Sequence, residues 1–280
     1  EAFSGLSGDF NFTIVNGNSA VSKTFVANFG QRPFAYTPPT GFKALNTQNL
    51  PEPVIKKGNQ WFDTLLWTST ATVKDVTGSS FQPDLVWVKS RASGNPNEGY
   101  HHLVDAVRGT GRVLSSNLTD AEYWTGTNNS VQAFLSNGFT AGDADGLNGE
   151  AMVSWLWKEG ATPGFDIVTY TGNGTGGRTI SHSLGVTPKL YILKRRDAGG
   201  YNWIVQTTII DGSLDYLFLN TTAAKGDSGD TPPTSSVFSV SGNADVNANG
   251  GTYVAYFFAE VAGFSKFGSY TGNGSSDGPF

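Results

Sequence analysis

The sequence predicts an all-β protein made of tandem β-sandwich modules of lectin or jelly-roll type, with few short helical turns. Of its 280 residues 36 are Gly and 13% are aromatic, a composition typical of a β-rich core with tight turns. Short apolar stretches recur at intervals of roughly 8–15 residues, as in sandwiches and barrels. The chain also repeats itself, since Tyr170–Gly174 returns 100 residues later as Tyr270–Gly274.

A longer repeat relates residues 61–160 to residues 164–262 and aligns Pro83 with Pro188 and Trp155 with Tyr256. Solenoids and propellers repeat every 20–50 residues or so, and this period is about twice as long. Each unit is long enough to have its own core. We therefore expect the two stretches to superpose as one fold.

The repeat predicts four segments along the chain. Residues 1–57 end an earlier domain and include a Pro-rich linker, residues 58–160 form module 1, residues 161–262 form module 2, and residues 263–280 begin a third repeat. Within the first segment, Asn11–Val15 and Lys23–Phe29 predict a hairpin around Asn16-Gly17. Two strands are not stable alone in water, so we expect this segment to be incomplete by itself and the chain to be part of a longer protein.

Within module 1, residues 151–157 are almost continuously apolar, which predicts a central strand buried on both faces. Residues 119–124 predict a helical turn. The other predicted strands of module 1 are 63–67, 84–89, 101–105, 112–115, 131–134 and 138–141. Those of module 2 are 165–171, 178–183, 190–195, 202–206, 216–220, 236–240 and 252–259.

Composition excludes several classes of function. The absence of Cys excludes disulfides, thiol catalysis and Cys-ligated zinc. A net charge of −5 without a Lys/Arg cluster argues against nucleic acid as a partner. The chain lacks an apolar run of about 18 residues, so membrane insertion is not expected. No cofactor is predicted.

Two tryptophans are candidate ligand-binding residues because aromatic rings can stack on sugars. Trp124 and Trp203 lie beside predicted loops, whereas Trp87, Trp155 and Trp157 lie within predicted strands and are assigned to the core. The Thr-Gly-Asn-Gly turns could bind a sugar hydroxyl or an ion through backbone amides, or could be positive-φ turns at strand ends.

A possible calcium site is formed by Asp245, Asn247 and Asn249, which match the opening of a calcium-binding loop. The residue eleven positions after Asp245 is Tyr256 instead of the bidentate Glu of an EF-hand, so the alternative is a solvated turn. The pair His101-His102 could bind a metal, but adjacent strand residues point to opposite faces. Neither a carboxylate pair nor a G-x-S-x-G motif can be nominated, so no enzyme is expected.

Two sets of residues resemble known families. One set resembles the C-terminal end of a SPRY-type domain, a concanavalin-like sandwich: Phe29–Phe34, Tyr36–Thr47 and Asn49–Pro53. The other resembles a tandem module found beside SPRY domains in proteins of tailed phages, marine phages especially: His101–Gly109, Tyr170–Gly174, Phe264–Gly274 and Gly278–Phe280.

The resemblance implies a tail fibre or other virion structural protein and implies no catalytic residues. The expected partners are other copies of the chain, most simply as a trimer, other virion proteins, and a glycan or protein receptor on the host surface. A carbohydrate-active depolymerase or its accessory module, and a purely architectural spacer, are the alternatives.

Overall fold

The computed structural model describes residues 28, 32–37, 40–41, 43, 52–70, 72–91, 101–124, 130–142 and 149–275. The chain forms two compact units, Glu1–Glu52 and Pro53–Phe280. In the first unit, the Asn28 side chain donates to the Arg32 carbonyl and accepts from the Arg32 backbone N–H. All of the predicted hairpin over residues 11–29 except Asn28 lies outside the described residues, as does most of the SPRY-like stretch.

The second unit confirms the all-β prediction. Its described residues form seventeen strands in antiparallel sheets, one short helix (α1, Ala244–Asn247) and one 3-10 turn at Gly58–Gln60. None of the described helices is long and apolar enough to span a membrane. The strands are β1 (Phe62–Thr68), β2 (Lys74–Thr77), β3 (Leu85–Ser90), β4 (His102–Asp105), β5 (Arg112–Ser115), β6 (Tyr123–Trp124), β7 (Val131–Leu135), β8 (Gly138–Ala141), β9 (Ala151–Trp157), β10 (Phe165–Thr171), β11 (Arg178–Ser181), β12 (Leu190–Arg195), β13 (Ile204–Thr207), β14 (Asp215–Phe218), β15 (Gly226–Asp227), β16 (Val237–Val240) and β17 (Thr252–Phe258).

The two modules have the same strand order in their main sheets. In module 1 a six-stranded sheet runs β1-β9-β3-β4-β5-β6, with a three-stranded sheet β2-β8-β7. In module 2 the six-stranded sheet runs β10-β17-β12-β13-β14-β15, with a two-stranded sheet β11-β16. The apolar strand β9 lies between β1 and β3, which is the central position that its sequence predicted.

The registers of the two main sheets also correspond. Trp87 faces Trp155 across β3 and β9, and Ile192 faces Tyr256 across β12 and β17. The two aligned prolines each lie four residues before Trp87 and Ile192. Trp155 and Tyr256 therefore hold equivalent positions in the two sheets.

Each module has an apolar core between its two sheets. In module 1 the core includes Val86 and Leu156 from the main sheet and Phe139 from the small sheet. In module 2 it includes Phe257 from the main sheet and Phe238 from the small sheet, with their ring centroids 4.8 Å apart. This arrangement is the sandwich layering that the alternating strands predicted.

A third apolar cluster joins the two modules, because strands of both six-stranded sheets contribute to it. Its buried members from module 1 are Leu85, Leu103 and Leu114, and those from module 2 are Phe165, Ile167, Ile192, Trp203, Val205, Val254 and Tyr256. The ring of Trp157 lies 6.2 Å from that of Phe165 and 6.5 Å from that of Phe258. Each large apolar side chain buried in this way contributes about 1.5–3 kcal/mol. The modules are therefore packed face to face, where the sequence had suggested separate domains in a row.

A buried ionic network reinforces this junction. Arg108 has no exposed side-chain surface and contacts Asp105 at 2.5 Å and Glu122 at 3.0 Å. Tyr256 of module 2 donates to Asp105 at 2.8 Å, and Arg196 of module 2 donates to Glu122 at 2.9 and 3.0 Å. Burial alone would lower the pKa of Arg108, but Tyr256, Asp105 and Glu122 raise it above its ordinary value. Every charge in the network is paired, as burial requires.

The helical turn predicted at residues 119–124 is wrong. The Glu122 backbone N–H donates to the Arg196 carbonyl at 2.8 Å, which draws this stretch toward module 2 in an extended form. Tyr123 and Trp124 then form β6, in which Trp124 pairs with Arg112. Contacts with the other module outweigh the local helical preference.

The start and the end of the two-module unit lie side by side. The Phe264 ring packs on Gly58, where an added Cβ would come within 3.3 Å of the ring. Gly263 has φ +77° and lies so close to Pro53 that a Cβ would meet the proline Cβ at 2.9 Å. After this point Tyr270 is 83% exposed, whereas its counterpart Tyr170 is buried and stacks on Tyr253.

Candidate functional site

A cleft opens in module 2 where β13 and β14 meet the loop after β15 and the segment around α1. It combines aromatic, amide, hydroxyl and carboxylate side chains, the mixture found in sites for small polar ligands. The lining residues are Ile204, Gln206, Tyr216, Phe218, Ser228, Asp230, Ser241, Asn243, Asp245 and Val246.

A chain of hydrogen bonds fixes the orientation of Gln206 in this cleft. The Ser228 hydroxyl donates its only proton to Asp230 Oδ2 at 2.8 Å, so it can only accept from Gln206, whose Nε2 lies 2.7 Å away. Gln206 Oε1 is buried and has no hydrogen-bond partner among the described residues. Gln206 itself is 3% exposed. The cleft therefore contains a buried acceptor that a donor from a ligand would satisfy.

Two aromatic rings form the apolar part of the cleft. Tyr216 and Phe218 alternate along β14, so both project from the same face, and their centroids lie 5.5 Å apart in an edge-on arrangement. Gly226 makes room for the tyrosine, because a Cβ there would lie 2.6 Å from the ring. Aromatic faces of this kind pack against the apolar faces of sugar rings.

The segment around α1 forms the opposite wall. Asn243 caps the helix by accepting from the Asp245 backbone N–H at 2.9 Å. Asp245 lines the cleft, and its Oδ1 accepts from the Asn202 backbone N–H at 3.2 Å. Asp245 and Asp230 thus bring two carboxylates to one cavity.

Two of the proposed calcium ligands accept hydrogen bonds in the structure. Asn247 is fully buried, and its side-chain oxygen accepts from the Asn173 backbone N–H at 3.0 Å while its amide donates to the Thr175 carbonyl at 2.8 Å. It fastens the Thr171–Gly174 turn, in which Gly174 has φ +72° as the positive-φ interpretation expected. These Asp245 and Asn247 oxygens accept from backbone amides and so support the loop, and the calcium site of Asp245, Asn247 and Asn249 stays a prediction.

Module 1 has apolar residues where module 2 forms the cleft. Gln206 corresponds to Val104 by the registers of β12–β13 and β3–β4, and Tyr216 corresponds to Val113 when the registers of β13–β14 and β4–β5 are continued. Both valines are fully buried in the module 1 core. The same fold therefore has buried valines at these two positions in one module and lines a polar cleft with them in the other.

The two tryptophans singled out from the sequence differ in position. Trp124 is 62% exposed at the edge strand β6, with the Arg112 guanidinium 5.9 Å from its ring centre, so it remains a candidate contact residue. The expectation that Trp203 lies at the surface is wrong. Trp203 is fully buried, and its Nε1 donates to the Ser115 carbonyl of module 1 at 2.9 Å. It belongs to the core shared by the modules.

Two other polar groups, the His101-His102 pair and a cluster of three carboxylates, have protein partners in the structure. His102 contacts the Tyr123 hydroxyl at 3.1 Å, and burial, with His101 nearby, lowers its pKa to about 4. Three carboxylates, those of Asp211, Asp215 and Asp227, converge within 4.8 Å, but Lys225 contacts them at 2.7, 2.6 and 3.9 Å and supplies the positive charge.

A second cavity lies where the two modules meet near the start and end of the unit. Aromatic rings dominate its lining, including Trp61, Trp157 and Phe267. It has few polar groups, so it is less suited to a hydroxylated ligand than the cleft of module 2.

The cleft was not found from the sequence, although a signal for it existed. In the alignment of the repeats, Gln206 and Tyr216 of module 2 stand where module 1 has valines. Polar residues at core positions are expected mainly at functional sites. Trp203 had instead been predicted to bind a ligand because it lies beside a predicted loop.

Comparison with known proteins gives a family. Residues 57–280 match the profile of DUF7483, a domain of unknown function, which spans both modules and the opening of the third repeat. No curated protein and no solved structure matches the chain. Because the match covers most of the 280 residues, the chain belongs to the DUF7483 family.

Proposed function

We propose that this protein is a virion structural protein of tailed phages, of the tail-fibre or decoration-fibre kind, that binds a glycan on the host surface. The observation that carries the binding proposal is the cleft of module 2, with its aromatic rings, two carboxylates and buried unpaired amide oxygen. The virion location is supported by the resemblance of the repeat motifs to phage proteins.

Binding at the cleft follows from ordinary sugar chemistry. The apolar face of a pyranose ring packs on Tyr216 or Phe218, while its hydroxyls donate to Asp230 and to Gln206 Oε1. The partner hydroxyl removes the cost of leaving Gln206 Oε1 unpaired, about 1–3 kcal/mol. That energy is gained only when a donor occupies the cleft.

Association with other copies of the chain would place several weak binding sites on one oligomer and so strengthen its overall binding to a surface. Edge strands β1 and β6 end the first main sheet, and β10 and β15 end the second. Edge strands are the places where another chain can pair with a sheet or cover it. Leu66 on β1 is 64% exposed. We infer a trimer, in which repeated sites bind with avidity. Light scattering of the full chain tests this, and a monomer at micromolar concentration contradicts it.

Glycan binding can be tested with the full chain on a biosensor exposed to a panel of capsular polysaccharides and lipopolysaccharides. Tyr216→Val installs the residue that module 1 has at this position, and Trp124→Ala removes the exposed tryptophan of β6. We expect Tyr216→Val to weaken binding by about tenfold or more. Trp124→Ala should leave binding at the cleft unchanged.

Each other outcome of this assay contradicts a stated part of the proposal. Binding lost only in Trp124→Ala would move the site to β6. Release of reducing ends would identify a depolymerase, and no binding to any glycan would leave an architectural spacer.

A further inference from the structure

We propose that the cleft of module 2 selects sugars that carry a protonated amino group over neutral and acidic sugars. This inference rests on the proposed function and adds the chemical class of the ligand. Its basis is the balance of donors and acceptors around the cavity.

The cleft is negatively charged. Two of its lining residues, Asp230 and Asp245, are carboxylates, and none of the described lining residues is Lys, Arg or His. Carboxylates in a partly enclosed cavity favour a positive partner and oppose a negative one. A uronic or sialic acid would therefore bring like charges together.

Lys194 interacts electrostatically with Asp245, so its charge has to be weighed against the carboxylates of the cleft. Lys194 does not neutralise the carboxylates of the cleft, because its side chain is fully buried and its Nζ donates to the Tyr201 carbonyl at 2.6 Å. Burial lowers its pKa to about 8, which weakens it further as a counter-charge.

Gln206 supplies the second, independent observation. Ser228 holds its Nε2, and Oε1 is one of five buried side-chain atoms without a partner among the described residues. Of these five atoms, the one that belongs to a residue lining the cleft is the Gln206 oxygen, which is an acceptor like the two carboxylates. An ammonium has three N–H donors and no acceptor, so it matches this set better than a hydroxyl, which brings lone pairs as well.

The valines of module 1 provide an internal comparison. The fold does not need a polar residue at these positions, because Val104 is fully buried in an equivalent place. Gln206, left with an unpaired atom at 3% exposure, is a costly choice for packing alone. Recognition of a donor accounts for it.

Two tetrasaccharides provide a matched test with the full chain. β-1,4-linked glucosamine tetramer and cellotetraose differ only in having an amino group or a hydroxyl at C2 of each sugar. We expect calorimetry at slightly acidic pH to show the glucosamine tetramer binding about tenfold or more tightly. Asp230→Asn and Asp245→Asn should each reduce that preference, and raising the pH until the amine is neutral should abolish it. Asp75→Asn, an exposed carboxylate of module 1, is the control and should leave the preference unchanged.

The failures of the two proposals are distinguishable. Equal binding of both tetrasaccharides, or binding of cellotetraose alone, with loss in Tyr216→Val, overturns the amino-sugar inference and leaves glycan binding intact. Tighter binding of tetragalacturonate, or binding that needs added Ca²⁺, also overturns it. If the glucosamine tetramer does not bind while the polysaccharide panel does, the inference fails alone. If neither binds, both fail.

Discussion

Replacing Trp203 by Ala tests whether the two modules share a core. Trp203 is fully buried, and truncation of a buried Trp costs about 3–5 kcal/mol through lost apolar contact and the cavity left behind. The change also removes the Nε1 bond to the Ser115 carbonyl, a buried acceptor whose loss of a partner costs about 1–3 kcal/mol. Because these terms overlap, we expect a loss of about 4 kcal/mol. For a unit of this size that corresponds to a fall in Tm of about 10 °C.

The assay is calorimetry of the full chain combined with hydrogen exchange read by mass spectrometry. Because Trp203 contacts module 1, peptides from β9 of module 1 and from β17 of module 2 should lose protection together. Trp124→Ala is the matched control, and as an exposed residue it should change stability by no more than about 0.5 kcal/mol. A fall in Tm below about 2 °C for Trp203→Ala, or lost protection confined to module 2, would refute the shared core.

Three further predictions concern other groups. Arg108→Met should destabilise the unit by about 3–5 kcal/mol in denaturant titrations, because it leaves buried carboxylates unpaired; a change below about 1 kcal/mol would contradict this. Burial and the neighbouring Asp166 raise the pKa of Glu159 from 4.5 to about 7, so its contribution to stability is present below pH 4.5 and is lost as the pH rises through 7. Glu159→Gln should therefore be more stable than the wild type at alkaline pH, by about 1 kcal/mol after discounting for solvent screening, and equal to it in acid; a pH-independent difference would be inconsistent. Gln206→Met should raise Tm by a few degrees while weakening glycan binding, and parallel losses of both would argue against a ligand-satisfied acceptor.

Strand positions were predictable where one local pattern decides the outcome. The apolar run at 151–157 is β9 with the same bounds, and the run at 252–259 is β17 less one residue. The alignment of Trp155 with Tyr256 was also readable, because both strands keep their apolar character. Local periodicity and burial point the same way in these strands.

The features that were missed depend on contacts between distant parts of the chain. Trp203 lies beside a loop in sequence, and only the packing of module 1 on module 2 buries it. Glu122 similarly loses a helical conformation to bonds with Arg196, 74 residues away. The cleft required comparison of the two modules position by position, since Gln206 and Tyr216 are unremarkable strand residues in isolation. Short edge strands such as β15 carry too few residues for a pattern.

The contact of Gly58 with Phe264 has a mechanical consequence for any longer chain that contains this unit. When a folded unit begins and ends at neighbouring points, a pull along the polypeptide bypasses its interior instead of stretching it. Such a unit projects sideways from the axis of the longer chain, so it adds mass without adding to the end-to-end length. Gaining or losing such a pair of modules would then change the number of clefts in a longer chain while leaving its end-to-end length the same.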